Sequence, residues 1–268
     1  MKAEKGLWGG SFILMVFLLS NVLFLGGCGG DNDAGAKKKE LLVYCGITMI
    51  RPMSDIARII ENREDCRIII TKGGSGNLFK SIKTNNVGDL YLPGSDSYIQ
   101  TCLKEGLVFE TAFVGYNKAA MMVQKGNPKG ISADLNNFAD KRYYVVVGNP
   151  NSGSIGKETK NILVKKGIFE KVINNARHLT TDSKNLALVI KNKEADLVIN
   201  WYATAKWPEN EPFIDVLPID EKFCKKKKLV IGLLNTSKYP EIARKFMKYA
   251  SSEEGHSLFK KHGFYEVE

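Results

Sequence analysis

The strongest constraint on the fold is a recurring order: a short run of β-branched, aromatic or leucine residues, a loop of glycines and hydroxyls, then apolar residues at helical spacing. Leu41-Leu42-Val43-Tyr44 reads as a buried strand; after Cys45-Gly46-Ile47-Thr48 the period changes, and Met49, Met53, Ile56 and Ile60 recur at helix spacing. Pro52 falls in the first turn, where its missing N–H costs nothing. The order repeats with a strand at 67–71, the loop Lys72-Gly73-Gly74-Ser75-Gly76-Asn77, and a helix from Asn77 to about 84 carrying Leu78, Phe79 and Ile82. It repeats again with the short strand Leu90-Tyr91-Leu92, ended by Pro93-Gly94, and a helix begun by Ser97 and stopped by Gly106. Strands alternating with helices in this way imply a parallel sheet covered on both faces.

A helix that starts directly after a strand presents unpaired backbone N–H groups and the positive end of its dipole, which together seat an anion. The 72–77 loop has the composition for this, although a Gly-Gly-Ser-Gly stretch also makes an ordinary flexible turn. The second half of the chain repeats the pattern. A strand-like run at 116–124, closed by Lys125-Gly126-Asn127-Pro128, crosses into a second lobe. There Tyr143-Tyr144-Val145-Val146-Val147 feeds a loop of small residues at 148–156 and a helix at 157–167. Asp182-Ser183-Lys184 begins another helix with Leu186, Val189 and Ile190 apolar, and a strand at 196–200 ends at Trp201-Tyr202. After 213–219 and the Lys225–Lys228 run, a strand at 229–234 returns to the first lobe, and 240–261 reads as one helical stretch with Ile242, Phe246, Tyr249 and Leu258 in the core. The lobes echo each other in order of elements, without a residue-level repeat.

The N-terminus has a different character. Lys2 and Lys5 precede an apolar run from about 12 to 25, broken only by Ser20 and Asn21, then Gly26, Gly27 and Cys28. This describes an export signal at 1–27, with an uncleaved membrane anchor as the alternative. Leu25-Gly26-Gly27-Cys28 resembles a bacterial lipobox, which implies lipidation of Cys28 and an extracytoplasmic, lipid-anchored protein. Residues 28–39 then form a polar tether. The formal net charge of +10 admits nucleic acid, a membrane surface or small anions as partners. The basic residues are dispersed apart from 37–39 and 225–228, and neither run is interleaved with aromatics, so no nucleic acid is expected. Cys45, Cys66, Cys102 and Cys224 read as buried thiols or as two disulfides with three possible pairings, and their spacing matches no zinc pattern. Neither a metal nor a cofactor is expected.

Four helix starts carry the candidate chemistry: Thr48, Ser75-Gly76, 154–156 and Ser183. Ligands of open parallel sheets bind at the carboxyl ends of the strands, and two facing sheets would bring all four starts to one cleft. Each hydrogen bond to an anion held there contributes on the order of 1.5 to 3 kcal/mol. Thr48 serves equally well as a helix N-cap, and Asp182 is either the cap of its helix or an acceptor for a protonated ligand.

At this point the chain resembles the solute-binding proteins of bacterial ABC importers, specifically the molybdate/tungstate-binding branch. The resemblance spans roughly 41–264. It rests on Val43-Tyr44-Cys45-Gly46-Ile47-Thr48 leading to Asp55-Ile56-Ala57, and on Gly73-Gly74-Ser75-Gly76 with Leu78. It rests further on Gly88-Asp89-Leu90-Tyr91 with Asp96, Val147-Gly148-Asn149-Pro150 with Gly156, Asn192-Lys193-Glu194-Ala195, and His262-Gly263-Phe264. The resemblance implies an α/β, two-lobed periplasmic binding protein type II fold. Each lobe is a mostly parallel sheet flanked by helices, with the ligand cleft between the lobes; 40–115 plus 225–268 form lobe 1 and 116–224 lobe 2. It implies a monomer that binds a small anionic ligand and passes it to a membrane permease.

Carried over by position, the ligand contacts are Thr48 and Ser75 where the family has serines, with Gly76 beside Ser75. The second lobe adds Ser154, the backbone of Ile155 or Gly156, Ser183, and Trp201 or Tyr202 for a tyrosine hydroxyl. Thr48 replaces serine, Ser154 sits where proline is common, Trp201 takes the tyrosine position, and Pro93-Gly94-Ser95 alters a loop at the cleft edge. Sulfate, a phosphate ester or a small carboxylate are the alternative ligands; Ser152, Ser154 and Lys157 would suit a larger phosphate-like group. Two other functions compete. An extracytoplasmic hydrolase would use Ser75 as nucleophile with His178 or His262 as base, but no Gly-x-Ser-x-Gly elbow is present, and a non-enzyme is expected. A surface colonisation factor could use the same fold.

Overall fold

The computed structural model describes residues 38–265. The export signal at 1–27, Cys28 and all but the last two residues of the tether lie outside the described residues. No helix among the described residues is long and apolar enough to cross a membrane.

The chain runs β1 (Lys39–Gly46), α1 (Ile50–Glu64), β2 (Cys66–Gly73), α2 (Ser75–Asn85), β3 (Leu90–Leu92), α3 (Ser97–Lys104) and β4 (Val108–Asn117). It crosses into a second lobe as β5 (Ala119–Gln124), β6 (Val145–Gly148), α4 (Ser154–Lys166), α5 (Phe169–Asn175), β7 (Ala176–Thr180), α6 (Ser183–Lys191), β8 (Leu197–Trp201), α7 (Tyr202–Ala205) and β9 (Ile214–Leu217). It returns through β10 (Lys227–Leu234), and α8 (Pro240–Ala250) and α9 (Glu253–Lys261) close the first lobe.

The two sheets share one plan. The first has the order β2-β1-β3-β10-β4 and the second β7-β6-β8-β5-β9. In each, three parallel strands are followed by one antiparallel strand carrying the crossing and one more beyond it. Parallel strands covered on both faces need apolar residues throughout, and Leu41, Val43, Leu90, Leu92, Leu229, Ile231 and Leu233 supply the first core. Val145, Val146, Val147, Leu197, Val198 and Ile199 supply the second. Helix α8 lays Ile242, Phe246 and Met247 on the first core, and burying Phe246 alone contributes up to about 3 kcal/mol.

The structure revises the sequence reading in several places. The run at 116–124 is not one strand: β4 ends at Asn117, β5 begins at Ala119, and they belong to different sheets. Gly115 adopts φ +143° where the β4 ladder bulges opposite Leu229. Residues 116 and 117 thus pair in the first sheet rather than the second. The segment from Val108, and the α5–β7 pair whose exposed Arg177 and His178 break any apolar period, were not foreseen. The 240–261 stretch is two helices, parted where Ser252 accepts the Gly255 N–H as the cap of α9.

A residue-level repeat also exists. Asp89, before β3, donates its N–H to Leu42 O at 2.8 Å and accepts the Leu42 N–H at Oδ2 at 2.7 Å. Asp196, before β8, does the same with Tyr144, at 2.8 and 2.7 Å. Both carboxylates are buried and both precede a leucine at the start of the third parallel strand.

Candidate functional site

β1, β2, β6 and β8 end in Gly46, Gly73, Gly148 and Trp201. Beyond those carboxyl ends a small cavity is lined by residues of both lobes: Thr48, Ser75 and Gly94 from the first, and Ser154, Ile155, Asp182, Ser183 and Trp201 from the second. It leaves only ≈ 10 Å³ for the centre of a water-sized sphere, about what one water occupies. Thr48, Ser75, Ser154 and Ser183 are all buried. The Ser75 hydroxyl accepts the Gly94 N–H at 3.0 Å and donates to Ser154 Oγ across the cleft at 3.2 Å.

The backbone adds to these hydroxyls. The first N–H groups of a helix have no partner within it, and in α6, α9 and one short 3₁₀ turn a side chain takes one of them up. Ser252 caps α9 and Asp134 caps a short 3₁₀ turn. Helices α2 and α4 instead start after Gly74 and Gly153, with no side-chain cap. Their positive ends, with the Ser75, Gly76, Ile155 and Gly156 amides, stay uncapped beside the cavity. Thr48 does not cap α1 either: it lies in a 3₁₀ turn at Ile47–Met49, and the N-cap position falls to Met49.

Asp182 is the only acid lining the cavity, and its carboxylate is committed. Oδ1 accepts the Asn185 N–H at 3.0 Å, while Oδ2 accepts from Asn185 Nδ2 at 3.3 Å and from the Thr181 hydroxyl at 3.2 Å. It caps α6 and offers no ready acceptor to a ligand. No lysine or arginine lines the cavity, so attraction for an anion comes from neutral donors and helix ends.

Of the residues expected at the site, Thr48, Ser75, Ser154, Ile155, Ser183 and Trp201 line this one cavity. Gly76 and Gly156 flank it without lining it. A Cβ on Gly156 would lie 2.2 Å from Asn149 O, so glycine there lets α4 pack on the end of β6. Tyr202 is elsewhere. Trp201, the last residue of β8, points into the cleft, and its successor opens α7 and faces a separate cavity of ≈ 420 Å³ with Lys118, Lys206 and Tyr265. In that cavity Lys118, Lys125 and Lys206 each face a carboxylate, of Glu221, Asp215 and Glu211. The contact of Gly94 with Ser75 depends on β3 ending beside α2, which no local pattern in the sequence reveals.

Neither histidine considered as a base reaches Ser75. His262 Nε2 pairs with Asp55 Oδ2 at 2.9 Å on the outer helices, and His178 lies exposed on β7. Lys157 stacks over the Tyr98 ring, and Ser152 Oγ shares its proton between Asn149 O and Thr181 O. Among the described residues, Cys45, Cys66, Cys102 and Cys224 are buried free thiols.

A family model for bacterial extracellular solute-binding proteins matches residues 41–265. A Haemophilus influenzae protein described as a binding protein is 25% identical over 226 residues, covering 84% of this chain and 90% of the relative. The periplasmic molybdate-binding protein of Azotobacter vinelandii superposes with a TM-score of 0.70 at 12% identity, over 85% of this chain and 100% of its own. A sulfate-binding protein of Mycobacterium tuberculosis superposes with a TM-score of 0.74 at 15% identity, over 86% of this chain and 88% of its own. At these identities the structural likeness speaks for the fold alone.

Proposed function

Because the chain belongs to the bacterial extracellular solute-binding proteins, we propose that it captures a small tetrahedral oxyanion, molybdate or tungstate foremost, and delivers it to the permease of an ABC importer. The observation that carries this reading is the meeting of α2 and α4, neither with a side-chain cap, with four buried hydroxyl side chains on one small cavity between the lobes. An anion there would take the protons of Ser75, Ser154, Thr48 and Ser183, the indole N–H of Trp201, and the amides at the starts of α2 and α4. At about 1.5 to 3 kcal/mol each, several such bonds offset the cost of stripping the ion of water.

The same donor set argues against hydrogen phosphate. A fully deprotonated oxyanion needs donors only, whereas a protonated one needs an acceptor, and the Asp182 carboxylate is occupied by its own helix. The test is thermal unfolding of the purified protein with molybdate, tungstate, sulfate, phosphate, a phosphate ester and small carboxylates. A ligand at a thousand times its dissociation constant raises stability by about 4 kcal/mol. A melting point unmoved by every anion rejects the proposal; a shift with the ester or carboxylates but not molybdate keeps the binding role and replaces the ligand. Lipidation at Cys28 would hold the protein on the extracytoplasmic side of the membrane; release of a Cys28→Ala variant into the soluble fraction would support it, and unchanged membrane retention would reject it.

A further inference from the structure

We propose that the glycines of the 73–76 loop are a clasp: Gly74 and Gly76 let the start of α2 rest on backbone carbonyls of the second lobe, where the Asn77 N–H ties the cleft shut. The inference builds on the reading that the cleft holds the ligand.

The reason for glycine at these positions is not backbone conformation. Gly74 has φ −67° and ψ 135°, which any residue adopts. The requirement comes from across the cleft. A Cβ on Gly74 would lie 2.4 Å from Ser152 O and 2.7 Å from Thr181 O; one on Gly76 would lie 2.8 Å from Asn151 O, and as close to the Tyr98 hydroxyl of its own lobe. Gly73 makes the contrast, since a Cβ there would meet only Leu78 of its own lobe, at an ordinary 3.6 Å. Of two adjacent glycines, only the one touching the other lobe is sterically obliged.

Into this close approach the chain places one directional bond. The Asn77 N–H, third in α2, donates to Ser152 O at 3.1 Å. Ser152 is itself fixed, because its single hydroxyl proton is shared between Asn149 O at 3.1 Å and Thr181 O at 2.9 Å. The start of α2 is therefore divided: Ser75 lines the cavity, and the third amide, of Asn77, holds the opposite lobe. Asn77 and Ser152 act as positioning residues, through closure, and not through the ligand.

The test compares the full protein with Gly74→Ala and Asn77→Pro. The alanine adds the clashing Cβ; the proline deletes the N–H at a helix position that has no intrahelical acceptor, so α2 survives. Three quantities are read: hydrogen exchange of the Asn77 amide in the parent and Gly74→Ala, the radius of gyration by small-angle scattering, and the dissociation rate of molybdate. Gly74→Ala is expected to bring Asn77 exchange to that of an unprotected amide, to enlarge the molecule, and to speed molybdate release about tenfold or more. Asn77→Pro is expected to reproduce the last two effects, with melting points near that of the parent showing that both variants fold. Asn77 exchange and dimensions unchanged in Gly74→Ala overturn the clasp. If molybdate fails to bind the parent, the ligand reading falls, and exchange and scattering still decide the clasp.

Discussion

The two lobes have the same strand plan and the same buried aspartate tying the third parallel strand to the first, yet they neutralise that aspartate differently. In the first lobe Asp89 Oδ1 accepts from the Ser237 hydroxyl at 2.7 Å and the Lys238 N–H at 3.0 Å, both at the entry to α8. In the second lobe Asp196 Oδ2 meets the Lys129 ammonium at 2.7 Å, and that side chain is 41% exposed. A carboxylate at this strand junction is thus a property of the fold, while its counter-partner is set by whichever segment runs past. The cleft helices differ in a parallel way: α2 and α4 start without a side-chain cap, whereas α6, which reaches the same cavity, is capped by Asp182.

The largest effect should come from the aspartates. Asp89→Ala strands the half-buried Leu42 N–H along with the Ser237 and Lys238 donors and should cost about 3 kcal/mol in urea unfolding. Asp196→Ala leaves Lys129 free to be solvated and should cost about 2 kcal/mol; the reverse order would break the distinction between the two partners. Next come the hydroxyls that meet across the cleft. Ser75→Ala and Ser154→Ala should each weaken molybdate binding by about 2 kcal/mol, roughly thirtyfold in Kd by calorimetry, and a large loss from one alone would show that a single lobe holds the ion.

Asp182→Ala should lower stability by about 1 kcal/mol through loss of the α6 cap, with molybdate affinity changed little by comparison. The smallest effect concerns Glu158, the buried carboxylate of α4. Burial raises its pKa above 4.5, and the Lys227 ammonium, 3.0 Å away, partly reverses this. The folded chain therefore holds that proton more tightly than the unfolded chain. Its contribution to stability is full in acid and falls as pH rises through the folded pKa. Glu158→Gln should remove this component from a plot of unfolding free energy against pH; an unaltered profile would reject it.

How much was legible beforehand follows from how local each signal is. Thr48, Ser75, Ser154 and Ser183 were readable as candidates because a hydroxyl at a strand-to-helix junction is a sequence-local pattern. The choice between Trp201 and Tyr202 was not, since it depends on where β8 stops and α7 begins. The equivalence of Asp89 and Asp196 was hidden because the residues they contact, Leu42 and Tyr144, lie 47 and 52 positions away. The strand at 108–115 was missed because Glu110 and Thr111 interrupt its apolar run, and its partner β10 follows more than a hundred residues later. The steric duty of Gly74 was beyond reach for the same reason: glycine in a loop suggests freedom, and here it answers a wall built by another part of the chain.

The buried thiols give the lobes separate clocks. Burial pushes Cys102 up to about 11 and Cys45 higher still, so neither is a ready thiolate while the chain is folded. Cys45, Cys66 and Cys102 belong to the clusters of the first lobe and Cys224 to that of the second. A thiol reagent followed by peptide mass analysis would therefore time the opening of each half within one sample, with no label introduced, and would show whether two sheets built to one plan come apart together or in turn.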